Sequence, residues 1–107
     1  MSATTINATA HEAARIARFA SILKAAGHPS RLGVIQLLSP DAELTVTELC
    51  QQLDTEQSLL SHHLSHMRKC GLLSVRREGR HIYYSLAIKE LNHLLECMRA
   101  CGDKLFE

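Results

Sequence analysis

Between Thr45 and Leu86 two short stretches of helical period are followed directly by two β-prone runs, and few folds accommodate those elements in that order. Thr45-Val46-Thr47-Glu48 offers a hydroxyl N-cap with an acidic residue in the first turn. Leu49, Cys50 and Leu53 then fall on one side, which predicts a helix of about two turns. Asp54 and Thr55 supply capping and turn chemistry. Leu60, Leu64 and Met67, spaced by four and three, predict a second amphipathic helix that runs to Cys70 and stops at Gly71. Two short helices joined by a tight turn make a helix-turn-helix. Directly after it, the β-prone runs Leu72 to Arg77 and His81 to Leu86 flank Glu78-Gly79-Arg80, which predicts a hairpin.

The flanks are helical. From His11 to Ala26 the residues Ile16, Phe19, Ala20, Leu23 and Ala26 recur at helical spacing, and Gly27 stops them. Pro29 suits the first turn of the next helix, which carries Leu32, Ile35, Leu37 and Leu38 and ends at Ser39-Pro40. From Lys89 onward Leu91, Leu94, Leu95, Met98 and Leu105 again have helical period. The expected fold class is mainly α with a β-hairpin: a winged helix-turn-helix of five helices with a two-stranded wing. Residues 1–10, small and polar, predict a flexible N-terminal arm before one domain spanning 11–107. A core built from 107 residues is marginal alone, and a second copy would help it.

A formal net charge of +1 does not announce nucleic-acid binding, so any case for it rests on where charges gather. On the second helix of the helix-turn-helix, Gln57, Ser58, Ser61, His62 and Ser65 lie away from the apolar stripe. Short hydrogen-bonding side chains there are what major-groove readout requires. The hairpin gathers Arg76, Arg77, Arg80 and His81 near its turn, placing positive charge for the DNA backbone or minor groove. Each feature alone has a plainer reading, a solvated helix face or arginines that keep an edge strand soluble. Their conjunction in this order favours DNA. A winged-helix module that docks protein is the rival within the same fold. Catalysis has no support: there is no Cys-x-x-Cys, Gly-rich phosphate loop or acid–base cluster. No apolar run approaches a bilayer span and the N-terminus lacks a signal-peptide pattern, so the expectation is a cytoplasmic protein with no membrane partner.

The stretches Leu49 to Leu53, Ser61-His62-His63-Leu64, Arg68 to Leu73 and Arg76 to Leu86, with His28-Pro29-Ser30-Arg31-Leu32, resemble the ArsR/SmtB repressors. The resemblance covers about residues 15–100. It implies a homodimer built from the first and last helices, a recognition helix from Gln57 to Lys69, and repression of operator DNA relieved by an inducer. It also implies DNA contacts from Gln57, Ser58, Ser61 and His62, with Arg31 near phosphate and Arg80 in the wing. Glu56 departs from the pattern, standing where relatives commonly have a capping Ser.

The inducer site is less legible. The positions of a family Cys-x-Cys pair read Thr45-Val46-Thr47, and those of an interfacial zinc site read Ile88, Glu90, Cys101 and Lys104. Where another family pattern has two cysteines on the recognition helix, this chain has His66 and Cys70. Cys50 and Cys70 also fit as small core residues, which makes them and His66 the weaker sensing candidates. His93, Cys97 and Cys101 form an i, i+4, i+8 stripe on the last helix. Thiolates with imidazole suit zinc, cadmium, copper(I) or trivalent arsenic. The same thiols can serve instead as a redox or reactive-sulfur sensor, or simply pack a dimer interface.

Overall fold

The computed structural model of the chain describes residues 3–105. Its elements in order are α1 (Ala3–Ala26), α2 (Pro29–Leu38), β1 (Leu44–Thr45), α3 (Val46–Leu53), α4 (Gln57–Lys69), β2 (Leu73–Glu78), β3 (His81–Leu86) and α5 (Leu91–Leu105). The five helices fall where the apolar periodicity puts them, with two differences. Helix α1 begins at Ala3 rather than His11, so the segment expected as an arm is helical from Ala3. The small Ala and Thr side chains there leave no apolar stripe to read, yet nothing in them breaks a helix already started downstream. The outermost residues of the division into 1–10 and 11–107 lie outside the described residues.

The second difference is a third strand. Leu44 and Thr45 pair antiparallel with Tyr84 and Tyr83, so the sheet has the order β1-β3-β2 and the wing is three-stranded at its base. Two residues are too few to show alternation, which is why only the hairpin was legible. Strands β2 and β3 pair from Leu73 with Leu86 to Glu78 with His81, and Gly79 and Arg80 form the two-residue loop. Gly79 has φ +59° at its first position, a backbone state that favours glycine.

Helix α2 is the hub. Its Val34, Ile35 and Leu38 are fully buried with Leu49 of α3 and Leu60, Leu64 and Met67 of α4, and Leu72, Leu73, Leu86, Leu91 and Leu95 complete the core. Each fully buried Leu or Ile contributes roughly 1.5–3 kcal/mol through removal of apolar surface from water. Gly33 lets α2 and α3 approach closely, since a Cβ there would lie 2.7 Å from Leu53 Cδ2. Local caps fix the helix-turn-helix. Thr45 and Glu48 form a complete capping box at the start of α3. Asp54, left-handed at φ +50°, ends α3. Helix α4 closes in a Schellman motif, with the Leu72 N–H on the Met67 carbonyl at 2.9 Å, the Gly71 N–H on the Arg68 carbonyl at 3.0 Å, and Gly71 at φ +83°.

Among the described residues one apolar face is left largely uncovered. Helix α1 reaches the core near its C-terminal end, through Ala25, Ala26 and the half-buried Ile22. Ile16, Phe19 and Leu23 are 59%, 55% and 53% exposed, and Met98 of α5 is 40% exposed. The radius of gyration of 16.7 Å exceeds the ~13 Å of a compact chain of this length, as expected when a long helix stands out from the body. An apolar groove lined by Phe19, Ile22, Leu23, Ile88, Leu91 and Leu94 runs between α1 and α5.

Candidate nucleic-acid interface

Helix α4 spans Gln57–Lys69 and divides its faces sharply: Leu60, His63, Leu64 and Met67 are buried, while Gln57, Ser58, His62 and Ser65 are exposed and Ser61 is half-buried. The burial of Leu60, Leu64 and Met67 therefore turns the five hydrogen-bonding side chains outward on one rigid helix. Glu56 is the N-cap residue but its carboxylate makes no capping bond; it accepts a 2.6 Å hydrogen bond from Ser58 Oγ instead. Ser58 thus has its hydroxyl proton engaged within the chain, leaving its lone pairs as acceptors.

The wing presents Arg77, Arg80 and His81 to solvent. Arg76 departs from the sequence expectation. Its Nε donates to Glu43 at 3.0 Å, its Nη1 donates to Glu78, and its guanidinium lies 4.7 Å over the Tyr83 ring. Hydrogen bonds to Glu43 and then Glu78 push its pKa further up, and the same bond holds the Glu78 carboxyl below its usual range. Arg76 braces the sheet from β2 across β3 to the segment before β1, so the free positive charge of the wing is Arg77 and Arg80. Two acidic partners within reach, one of them 33 residues upstream, were invisible to a count of local arginines.

Arg31, which the resemblance puts near phosphate, donates from Nε to His63 Nδ1 and from Nη1 to the Ala25 carbonyl, both at 3.1 Å, which leaves three N–H donors of its guanidinium. His63, a residue the sequence reading passed over, is 6% exposed. Burial and then the neighbouring His28 hold its pKa below the ordinary imidazole value. His28 caps α2 by accepting from the Ser30 N–H at 3.1 Å, and its ring centroid lies 4.5 Å from that of His63. The signal for His63 was present: it stands three residues after Leu60 and four before Met67, inside the apolar stripe.

All four cysteines are free thiols. Cys97 and Cys101 are exposed on α5, and His93, on the same stripe, points its Nδ1 toward Glu96 at 3.7 Å. Cys70 caps the end of α4 with its Sγ 3.7 Å from His66 Nε2. Both line a cleft of about 400 Å³ with Ser21, Lys24, Ala25 and Arg31. Cys50 is half-buried against the core. Among the described residues no three His, Cys, Asp or Glu side chains of one chain gather to hold a metal ion. No helix among them is long and apolar enough to cross a membrane.

Comparison with known proteins fits this geometry. The family model described as bacterial regulatory protein, arsR family, matches residues 28–75. The transcriptional activator HlyU of Vibrio cholerae is 36% identical over 77 residues, 72% of this chain and 70% of that one. The solved structure of its reduced form matches with a TM-score of 0.76 at 31% identity, covering 85% of this chain and 95% of that one. The arsenical resistance operon repressor of Escherichia coli is 39% identical over 66 residues, 62% of this chain and 56% of that one. A homodimeric winged helix-turn-helix DNA-binding domain from Mycobacterium bovis, described as a possible ArsR-family regulator, matches with a TM-score of 0.76 at 26% identity, covering 90% of this chain and 88% of that one.

Proposed function

The chain belongs to the arsR family of bacterial regulatory proteins, and on that premise we propose that it is a homodimeric repressor whose α4 reads operator DNA and whose thiols receive the inducer. As a member of that family it is a DNA-binding transcriptional regulator and not an enzyme. The observation that carries the proposal is the outward polar face of α4 beside a wing that keeps Arg77 and Arg80 free. Gln57, Ser58, Ser61, His62 and Ser65 supply base and phosphate contacts in the major groove, while the two arginines track the neighbouring backbone. The unpartnered apolar face of α1 and α5 joins two copies, so the α4 helices present themselves to the two halves of a palindrome.

The inducer is a thiophilic ion, zinc, cadmium, copper(I) or trivalent arsenic, taken by Cys97 and Cys101 with His93. A relative named for arsenical resistance supports that class. Because the described residues of one chain do not gather three ligands, the site would be completed across the α5 pair of the dimer. That same shortage favours a second reading, in which exposed Cys97 and Cys101 are oxidised or take up reactive sulfur.

Anisotropy titration on duplexes from the flanking promoter tests both levels. Expected is binding to a palindromic site with a steep salt dependence, lost on adding one inducer class and restored by a chelator (ion) or only by a phosphine reductant that leaves the ion case unchanged (redox). Replacing Cys97 and Cys101 by Ser should leave DNA affinity unchanged and abolish the response. Derepression that survives this change places the sensor elsewhere, and salt-insensitive or sequence-independent binding overturns the operator reading. Because the relatives include an activator by name, a promoter–reporter fusion decides the sign: deletion of the gene should raise expression.

A further inference from the structure

Arg31 stands at a junction of three helices. Within the first turn of α2, it donates to the Ala25 carbonyl in the last turn of α1 and to His63 in the middle of α4, each at 3.1 Å. The Ala25 carbonyl is one of the last four of α1 and has no partner within its own helix, so the guanidinium satisfies an otherwise orphaned acceptor. One side chain thereby connects the helix carrying the unpartnered apolar face to the helix with the polar reading face.

The connection demands a particular state of His63. Its Nδ1 accepts from Arg31, so that nitrogen carries no proton and the ring is neutral. A protonated imidazole has N–H on both nitrogens and would set donor against donor and cation against cation at a site only 6% exposed. The groups facing it offer no relief. His28 and Arg31 act from the α2 side, His62 and His66 from α4 itself, and Lys24 of α1 lines the adjoining cleft with Arg31 and His66. Every one of them is basic.

We propose that His63 is a positioning residue for DNA binding: by accepting from Arg31 it fixes α4 against the end of α1, and proton uptake on its ring uncouples the reading helix from the dimer helix. This rests on the DNA-binding reading above. Burial and the surrounding cations keep the proton affinity of His63 below that of a free imidazole, so the joint is intact at neutral pH and opens as pH falls below the ordinary value of 6.5.

The test compares wild type with His63→Gln, whose amide oxygen can accept from Arg31 but cannot titrate. Operator affinity is measured at fixed ionic strength from about pH 8 to about pH 5.5, a range that brackets imidazole titration. Every other titratable group is common to both proteins, so the ratio of the two dissociation constants isolates His63. Expected is a ratio near unity at the alkaline end that rises about tenfold or more at the acid end, within the usual range of coupling between sites. In wild-type protein without DNA, the Arg31 Nε–H resonance should shift with the same midpoint as the His63 ring carbons. A flat ratio alongside specific binding, or an Arg31 resonance indifferent to His63, overturns the inference alone. Absence of specific binding by wild type at every pH overturns the regulator reading and this inference with it.

Discussion

Phe19 gives the dimer its sharpest test. It is 55% exposed on α1, so of the roughly 200 Å² that an aromatic side chain can bury, about 110 Å² remains for a partner to cover. At ~25 cal/mol per Å² that is about 2.8 kcal/mol, and two-fold symmetry doubles it to ~5.5 kcal/mol for the pair. The general costs of association are the same in wild type and variant and cancel in the comparison. The methyl group kept by Phe19→Ala and residual gaps reduce the figure, leaving an expected weakening of the dimer by about a hundredfold to ten-thousandfold at 1.4 kcal/mol per decade. Sedimentation velocity across a concentration series measures it, with thermal unfolding of the monomer as the control. Since more than half of Phe19 lies outside the core, the monomer should hold its fold. A dimer dissociation constant within about threefold of wild type would refute the assignment of this face to the interface.

Three further outcomes are expected. Replacing Ser61 and His62 together by Ala should abolish preference for the operator over random duplex in anisotropy titrations, while the circular dichroism spectrum and dimer mass stay unchanged. Arg77→Ala and Arg80→Ala should each lower the slope of log affinity against log salt by about one per protomer that touches phosphate, whereas Arg76→Ala should leave that slope and instead raise amide exchange in the wing. Thr45→Ala should destabilise the protein by about 1 kcal/mol through loss of the N-cap, read by denaturant unfolding. The Glu48 carboxyl is held below its ordinary value of 4.5 by bonds from the Thr45 backbone and then its hydroxyl. It therefore contributes stability above that pH and loses it as pH falls further, and Glu48→Gln should flatten the acid limb of the melting-temperature profile.

Long apolar periodicities proved legible because burial of a stripe dictates a helix wherever caps allow. Helix α4 illustrates this: Leu60, Leu64 and Met67 fix its face, Gly71 its end, and its limits are Gln57 and Lys69 as expected. Interactions between distant segments left no such mark. Arg76 looked like one of three free arginines, with no sign that Glu43 closes on it, and nothing near Arg31 in the sequence announces its bonds to Ala25 and His63. Strand β1 depends on Tyr83 and Tyr84, almost forty residues on, rather than on any local pattern. The proposed inducer site left no local pattern for a related reason: its ligands would have to be completed by a second chain.

Thr45 has two places in the molecule at once, pairing with Tyr83 in the sheet and capping α3 through Glu48. Wing and helix-turn-helix are therefore joined through one residue, and Arg76, reaching Glu43 over Tyr83, ties the same seam from the other side. On the proposed reading each protomer would meet DNA like a caliper with its jaws at a set opening, α4 for one groove and the wing tip for the next. Any adjustment to operators of different spacing or curvature must then come from the angle between two such calipers. On that reading control of DNA binding falls to the apolar face of α1 and α5, and Cys97 and Cys101 are exposed on that same α5.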